Sequence, residues 1–147
     1  MNAAGYMEYI RGLKRSIELI EQELKTIDEE MISTPGISYD PNRVTSSPRQ
    51  DKLEMQVIRL VEAKEEKTSD LVELKTKYLN EMHTAMAYIR MIPSEEQQDI
   101  LIMRYVENRK WWDILRIRNC DNLSGQMRLR DRAIEALQMI IGDKESV

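Results

Sequence analysis

IPSEEQQDILIMRYVENRKWWDILRIRNCDNLSGQMRLRDRAIEALQMII, residues 92–141, is the stretch on which the reading of this chain turns. Ser94 stands in the cap position of a helix, with Glu95 and Glu96 in its first turn and Gln97 where a capping box places its return partner. Ile100, Leu101, Arg104 and Tyr105 form one face of that helix, which is predicted to end near Glu107 and Asn108. A second short helix, Lys110 to Ile117, offers Trp111, Ile114, Leu115 and Ile117 to a core. After a polar turn from Arg118 to Asp121, either Asp121 or Asn122 caps a last helix. Its apolar stripe is Leu123, Met127, Ile134, Leu137 and Ile141, with Ala133 and Ile140 alongside. Three helices of these lengths close into a small trihelical domain over residues 92–147.

Upstream, Pro93 pushes Ile92 out of helical geometry and ends a long helix running from about Lys52 to Met91. The seam of that helix is Leu53, Val57, Leu60, Lys64, Lys67, Leu71, Leu74, Tyr78, Met82, Ala85 and Ile89. Lysines at 64 and 67 interrupt it. They fix register as polar seam residues do, mark where a shorter partner helix has run out, or mark a bend. A first helix carries the matching heptad seam Tyr6, Ile10, Leu13, Ile17, Ile20, Leu24, Ile27 and Met31. Residues 34–51 hold three of the four prolines and form the connection, with Ser47 or Asp51 as the next cap. The expected fold is therefore all-α: a long, coiled-coil-like antiparallel helical hairpin over residues 1–91, followed by the trihelical domain. The second helix outruns the first, so its C-terminal part is to be covered by the C-terminal domain or by a second copy of the chain, and this excess seam is the main reason to expect a homodimer built on residues 1–91.

Composition narrows the function classes. Charged residues are 33% and aromatics 5% with no Phe, which suits long charged helices better than one large core. The net charge is −4, yet residues 104–132 carry eight Lys/Arg against four Asp/Glu. A basic field in an otherwise acidic chain suits phosphate. His83 is the lone histidine, Cys120 the lone cysteine, and no Gly-rich phosphate loop occurs, so neither an enzyme nor a metal or other cofactor is expected. One cysteine, no signal-like apolar region and no membrane-length apolar run predict a cytoplasmic protein.

The capped P-S-E-E start, the Met103-Arg104-Tyr105 run, the polar turn and Trp111-x-x-Ile114 resemble the region-four helix-turn-helix of bacterial sigma factors. RLRDRAIEAL, Arg128 to Leu137, is similar to that family's recognition helix and amphipathic tail. Together with the two heptad helices and the Asp40, Val44, Ser46, Ser47, Pro48 pattern between them, the chain resembles phage late-gene transcription regulators of the ArpU/RinA-like group. The resemblance implies a bacterial host, double-stranded DNA as partner, and RNA polymerase as a further partner at late promoters. It departs at Leu115, Trp112, Gly125 and Gln126, and in a turn one residue longer than the pattern. These departures and the overall acidity keep open a protein-binding adaptor or inhibitor on the same fold.

In a helix-turn-helix the first two turns of the second helix meet base edges. With Asn122 as cap, Ser124, Gly125, Arg128 and Leu129 or Arg132 face outward. Arg128 is the candidate for a bidentate guanine contact. Arg109, Lys110, Arg116, Arg118, Arg130 and Arg132 are phosphate candidates, and Ser124 suits either role. Arg130 falls on the apolar stripe by phase, so pairing with Glu107 or Asp113 is an equal expectation. Trp111 is expected in the core, whereas Trp112 either packs on the long helices or meets DNA or a protein.

Overall fold

The computed structural model describes residues 2–33 and 48–145, without the side chains of 48–50, and these residues are all-helical with no strand among them. The helices are α1 (Ala3–Ser33), α2 (Pro48–Ile89), α3 (Glu95–Leu101), α4 (Trp111–Ile117) and α5 (Leu123–Glu145), with a π-helical turn, Ile102–Val106, continuing α3. Most of the expected connection, and the cap at Ser47, lie outside the described residues. Asp51 is in the first turn of α2 and does not cap it. Pro48 occupies the first helical position, where its missing N–H leaves nothing unsatisfied. At its other end α2 stops at Ile89, short of the expected Met91, and the Ile89 carbonyl accepts from the Ile92 N–H. That tight turn leaves Met91 exposed and brings Ile92 into the core.

Two compact units divide the chain: Met1–Ser16 with Lys75–Val147, and Ile17–Leu74. Both long helices contribute to each unit, so the division does not fall at residue 92.

In the Ile17–Leu74 unit the seams read from the sequence are the covered faces. Ile17 is buried, and Ile20, Leu24, Ile27, Met31, Leu53, Val57, Leu60, Leu71 and Leu74 are half-buried. The two lysines that break the α2 seam meet carboxylates of α1: Lys64 Nζ lies 2.8 Å from Asp28 Oδ1, and Lys67 Nζ lies 2.8 Å from Glu23 Oε2. A hydrogen bond to Glu23 and its charge hold the Lys67 ammonium above its usual pKa. The end of α1 does not fall there, since α1 continues to Ser33, and α2 is helical throughout. Exposed ion pairs contribute little stability, so their effect is to specify which residues face each other.

In the other unit α1 uses a wider face. Ala3 and Met7 are buried beside the seam residues Tyr6, Ile10 and Leu13. The Ala3 N–H donates to Gln138 Oε1 of α5 at 2.7 Å. The far end of the α2 seam is also covered within the chain, because Tyr78, Ala85 and Ile89 are buried. The reason first given for a dimer, an uncovered seam at this end of α2, therefore falls away. The remaining core is Ile92, Ile100, Leu101, Tyr105, Val106, Ile114, Ala133, Leu137 and Ile141.

The Tyr78 hydroxyl donates to the Val106 carbonyl at 2.7 Å in this buried setting. That carbonyl lies at the end of the π-helical turn, where the helix itself supplies no partner. Tyr78→Phe keeps the ring and strands the carbonyl, so we expect a loss of about 1–3 kcal/mol, read as a lower urea midpoint at unchanged m.

Candidate nucleic-acid interface

α3 begins as its sequence requires: Ser94 is extended, its hydroxyl accepts from the Gln97 N–H, and Glu95 and Glu96 fill the first turn. Gln98, not the expected Gln97, reaches back past the cap, its amide N–H donating to the Ile92 carbonyl. The helix then widens. The Glu107 N–H reaches the Ile102 carbonyl, five residues back. Buried Ile100 and Leu101 are followed five residues later by buried Tyr105 and Val106, a spacing that matches a π turn better than an α turn. Asn108 closes it at φ 55, a left-handed conformation that asparagine tolerates. Its side chain accepts from Arg11 Nε at 2.8 Å, fastening this turn to α1.

α4 starts after Lys110 and packs against the π-helical turn and α5. Its single fully buried side chain is Ile114; Trp111 and Leu115 are half-buried. Ile117, expected in the core, is 48% exposed. The end of α4 is a Schellman turn. Asn119 has φ 52, its N–H donates to the Arg116 carbonyl, and the Cys120 N–H donates to the Leu115 carbonyl. Ile117 lies inside α4, ahead of this closure, and its phase takes it off the arc that Trp111, Ile114 and Leu115 share.

Of the two possible caps for α5, Asn122 is the one used. Its Oδ1 accepts from the Gly125 N–H at 3.0 Å. A Cβ on Gly125 would lie 2.9 Å from the Asn122 amide nitrogen, closer than side chains tolerate. Gly125 is therefore fitted to the cap, not simply a weak point in the helix. Gln126 is half-buried and donates to Cys120 Sγ at 3.5 Å. Leu123 is 40% exposed although it shares the phase of buried Ile141, because it stands in the first turn of α5, before the covered part of the stripe begins. The covered part runs through half-buried Gln126 and Arg130, then buried Ala133, Leu137 and Ile141.

Contacts sort the ten candidate residues into three groups. Arg109, Arg116 and Arg130 pair with Glu107, Asp113 and Asp131 respectively. Arg130 thus meets neither Glu107 nor Asp113, since each of those carboxylates is held by a nearer arginine. Arg118 is half-buried at the end of α4, with Nε buried and unpartnered, and Asn122 and Gly125 belong to the cap. Lys110, Arg128 and Arg132 are exposed cations with no ion pair among the described residues, and Ser124 is exposed beside them in sequence.

No family model, curated protein or solved structure matches this chain. The site must be read from its own residues.

Two arginines meet Trp111: Arg104 lies 4.9 Å and Arg130 5.4 Å from the ring centre. Arg104 also donates to the Arg109 carbonyl at 3.1 Å, bridging the segment between the π-helical turn and α4. Burial, and then the charge of Arg11, lower the Arg104 pKa; burial raises that of Tyr105. The role of Arg104 was not foreseen, although the Arg-Tyr pair that marks it was visible in the sequence. Trp112 is 59% exposed with the Arg116 guanidinium 5.4 Å from its ring centre. Among the described residues no cluster of His, Cys, Asp and Glu is suited to a metal, and no helix is long and apolar enough to cross a membrane.

Proposed function

We propose that the chain is a sequence-specific DNA-binding transcription regulator of phage type. In this reading α4, the turn and α5 form a helix-turn-helix with α5 in the major groove. α1 and α2 form an antiparallel hairpin that presents it, at a promoter and together with RNA polymerase. One observation carries the reading: the capped first turns of α5 are followed by two exposed arginines, Arg128 and Arg132, one helical turn apart and with no ion pair among the described residues. Of the neighbouring basic residues, Arg109, Arg116 and Arg130 are held by carboxylates, and Arg130 by Trp111 as well. Pairing of two copies belongs to the same reading. It is supported by the exposed apolar residues Met55, Ile58, Val61 and Val72 of α2 in the Ile17–Leu74 unit.

Mobility shifts on duplexes from the region flanking its own coding sequence test this. With phosphate contacts from Lys110 and Arg132 of each of two copies, log K should fall against log salt with a slope of about −4. Equal and weak binding to every duplex rejects the proposal. A protein-binding adaptor is the second reading, favoured by Trp112 above a shallow pocket lined by Leu115, Asn119, Cys120 and Asp121. A stoichiometric protein partner with no DNA shift at low salt selects it.

A further inference from the structure

Resting on the helix-turn-helix reading, we propose that Arg130 and Arg104 do not bind DNA but act as positioning residues, clamping the Trp111 ring and so setting the seat of α5 against α4. Three observations converge on this. The two guanidiniums come from different elements, the π-helical turn and α5, and both lie within cation–π range of one ring on α4. Each is anchored a second time: Arg104 donates to the Arg109 carbonyl, and Arg130 to the Asp131 carboxylate at 3.1 Å. Both are half-buried, with 27% of the Arg130 side chain exposed, unlike the freely exposed Arg128 and Arg132.

The phase of α5 explains why a clamp is needed. Above Ala133 the helix presents Arg130 and Gln126 toward α4 where an aliphatic stripe would have continued. α4 and α5 share few apolar contacts at this end, since Ile117 and Leu123 are both exposed. A planar guanidinium over an indole replaces the missing apolar contact and fixes direction, which a lysine ammonium on a flexible stem does less well. Arg128 lies two residues before Arg130, so the rotation of α5 that Trp111 sets is also the rotation that aims Arg128.

The chain has two tryptophans, so Trp112→Phe leaves Trp111 as the sole indole reporter. In that background Arg130→Gln should raise the acrylamide quenching constant of Trp111 about twofold. It should also speed amide exchange over the first two turns of α5 by roughly tenfold. On the preferred duplex it should weaken binding roughly tenfold while leaving the salt slope unchanged, because no phosphate contact has gone. Arg130→Lys should fail to restore either the quenching or the affinity. Arg104→Gln should raise quenching in the same way.

A salt slope that drops by about 0.9 with full rescue by Arg130→Lys would make Arg130 a phosphate contact and overturn the proposal. Unchanged quenching and exchange would overturn it equally. If the unaltered chain shifts no duplex, the DNA reading fails by itself. Quenching and exchange still decide whether the clamp exists.

Discussion

Replacing Ile114 by alanine should destabilise the protein by about 2–4 kcal/mol. α4 has seven residues, too few to persist without packing, and Ile114 is its one fully buried side chain. α4 packs on both α5 and the π-helical turn, and Ile114 is the side chain it buries completely in doing so. Domains have roughly 5–15 kcal/mol in total, and a loss of this size moves a urea midpoint by about 1–2 M. Ile114→Asp should do more, placing a carboxylate in an apolar setting and undocking α4 altogether. Tryptophan fluorescence reports α4 locally, and far-ultraviolet circular dichroism reports all the helices. For Ile114→Ala we expect one cooperative transition by both probes. For Ile114→Asp the fluorescence change should already be complete in the absence of urea. A cost below 1 kcal/mol for Ile114→Ala would mean that Trp111 and Leu115 hold α4 without it.

The long seams were legible because a sustained heptad leaves few alternatives. Every named apolar position from Tyr6 to Met31 is covered, and the Ser94 cap follows from local chemistry alone. The lysine interruption was visible, but its partners Asp28 and Glu23 lie over 35 residues away, where no spacing rule reaches. In the C-terminal helices the errors have separate causes. The π turn adds a residue and brings Val106 inside. Ile117 is off the covered arc of the short α4, and Leu123 is in phase with buried Ile141 but stands in the first turn of α5, before the covered stripe begins. Arg130 was assigned to the apolar stripe by phase, and it is half-buried there. What phase could not supply was the indole beneath it, because Trp111 and Arg130 are brought together only by the turn between α4 and α5. Candidate cations were likewise recognisable as residue types. Which of them are already paired depends on neighbours such as Glu107 and Asp113, whose side chains have other directions open to them in an unfolded chain.

Arg128→Ala should cost roughly 5- to 150-fold in affinity for the preferred duplex and far less for a scrambled one. With Asn122 as cap, Arg128 is the sixth residue of α5 and lies in its second turn, within the part of a reading helix that meets base edges. It is exposed and has no ion pair among the described residues, which leaves the guanidinium fork for O6 and N7 of a guanine. Arg132 stands one turn further along the helix and should behave differently. Arg132→Ala should weaken all duplexes alike and lower the salt slope by about 0.9 per copy, as loss of one phosphate contact does. Measuring both variants on both duplexes across salt separates base reading from backbone attraction. If Arg128→Ala weakens both duplexes equally and flattens the slope, Arg128 is a phosphate contact, and base reading must come from the exposed Ser124 or from DNA shape. The comparison is sensitive because Arg130, between the two in sequence, is withdrawn onto Trp111. Two exposed arginines four residues apart then project from one side of α5, and in the proposed helix-turn-helix the Trp111 clamp would set how squarely that side meets the groove.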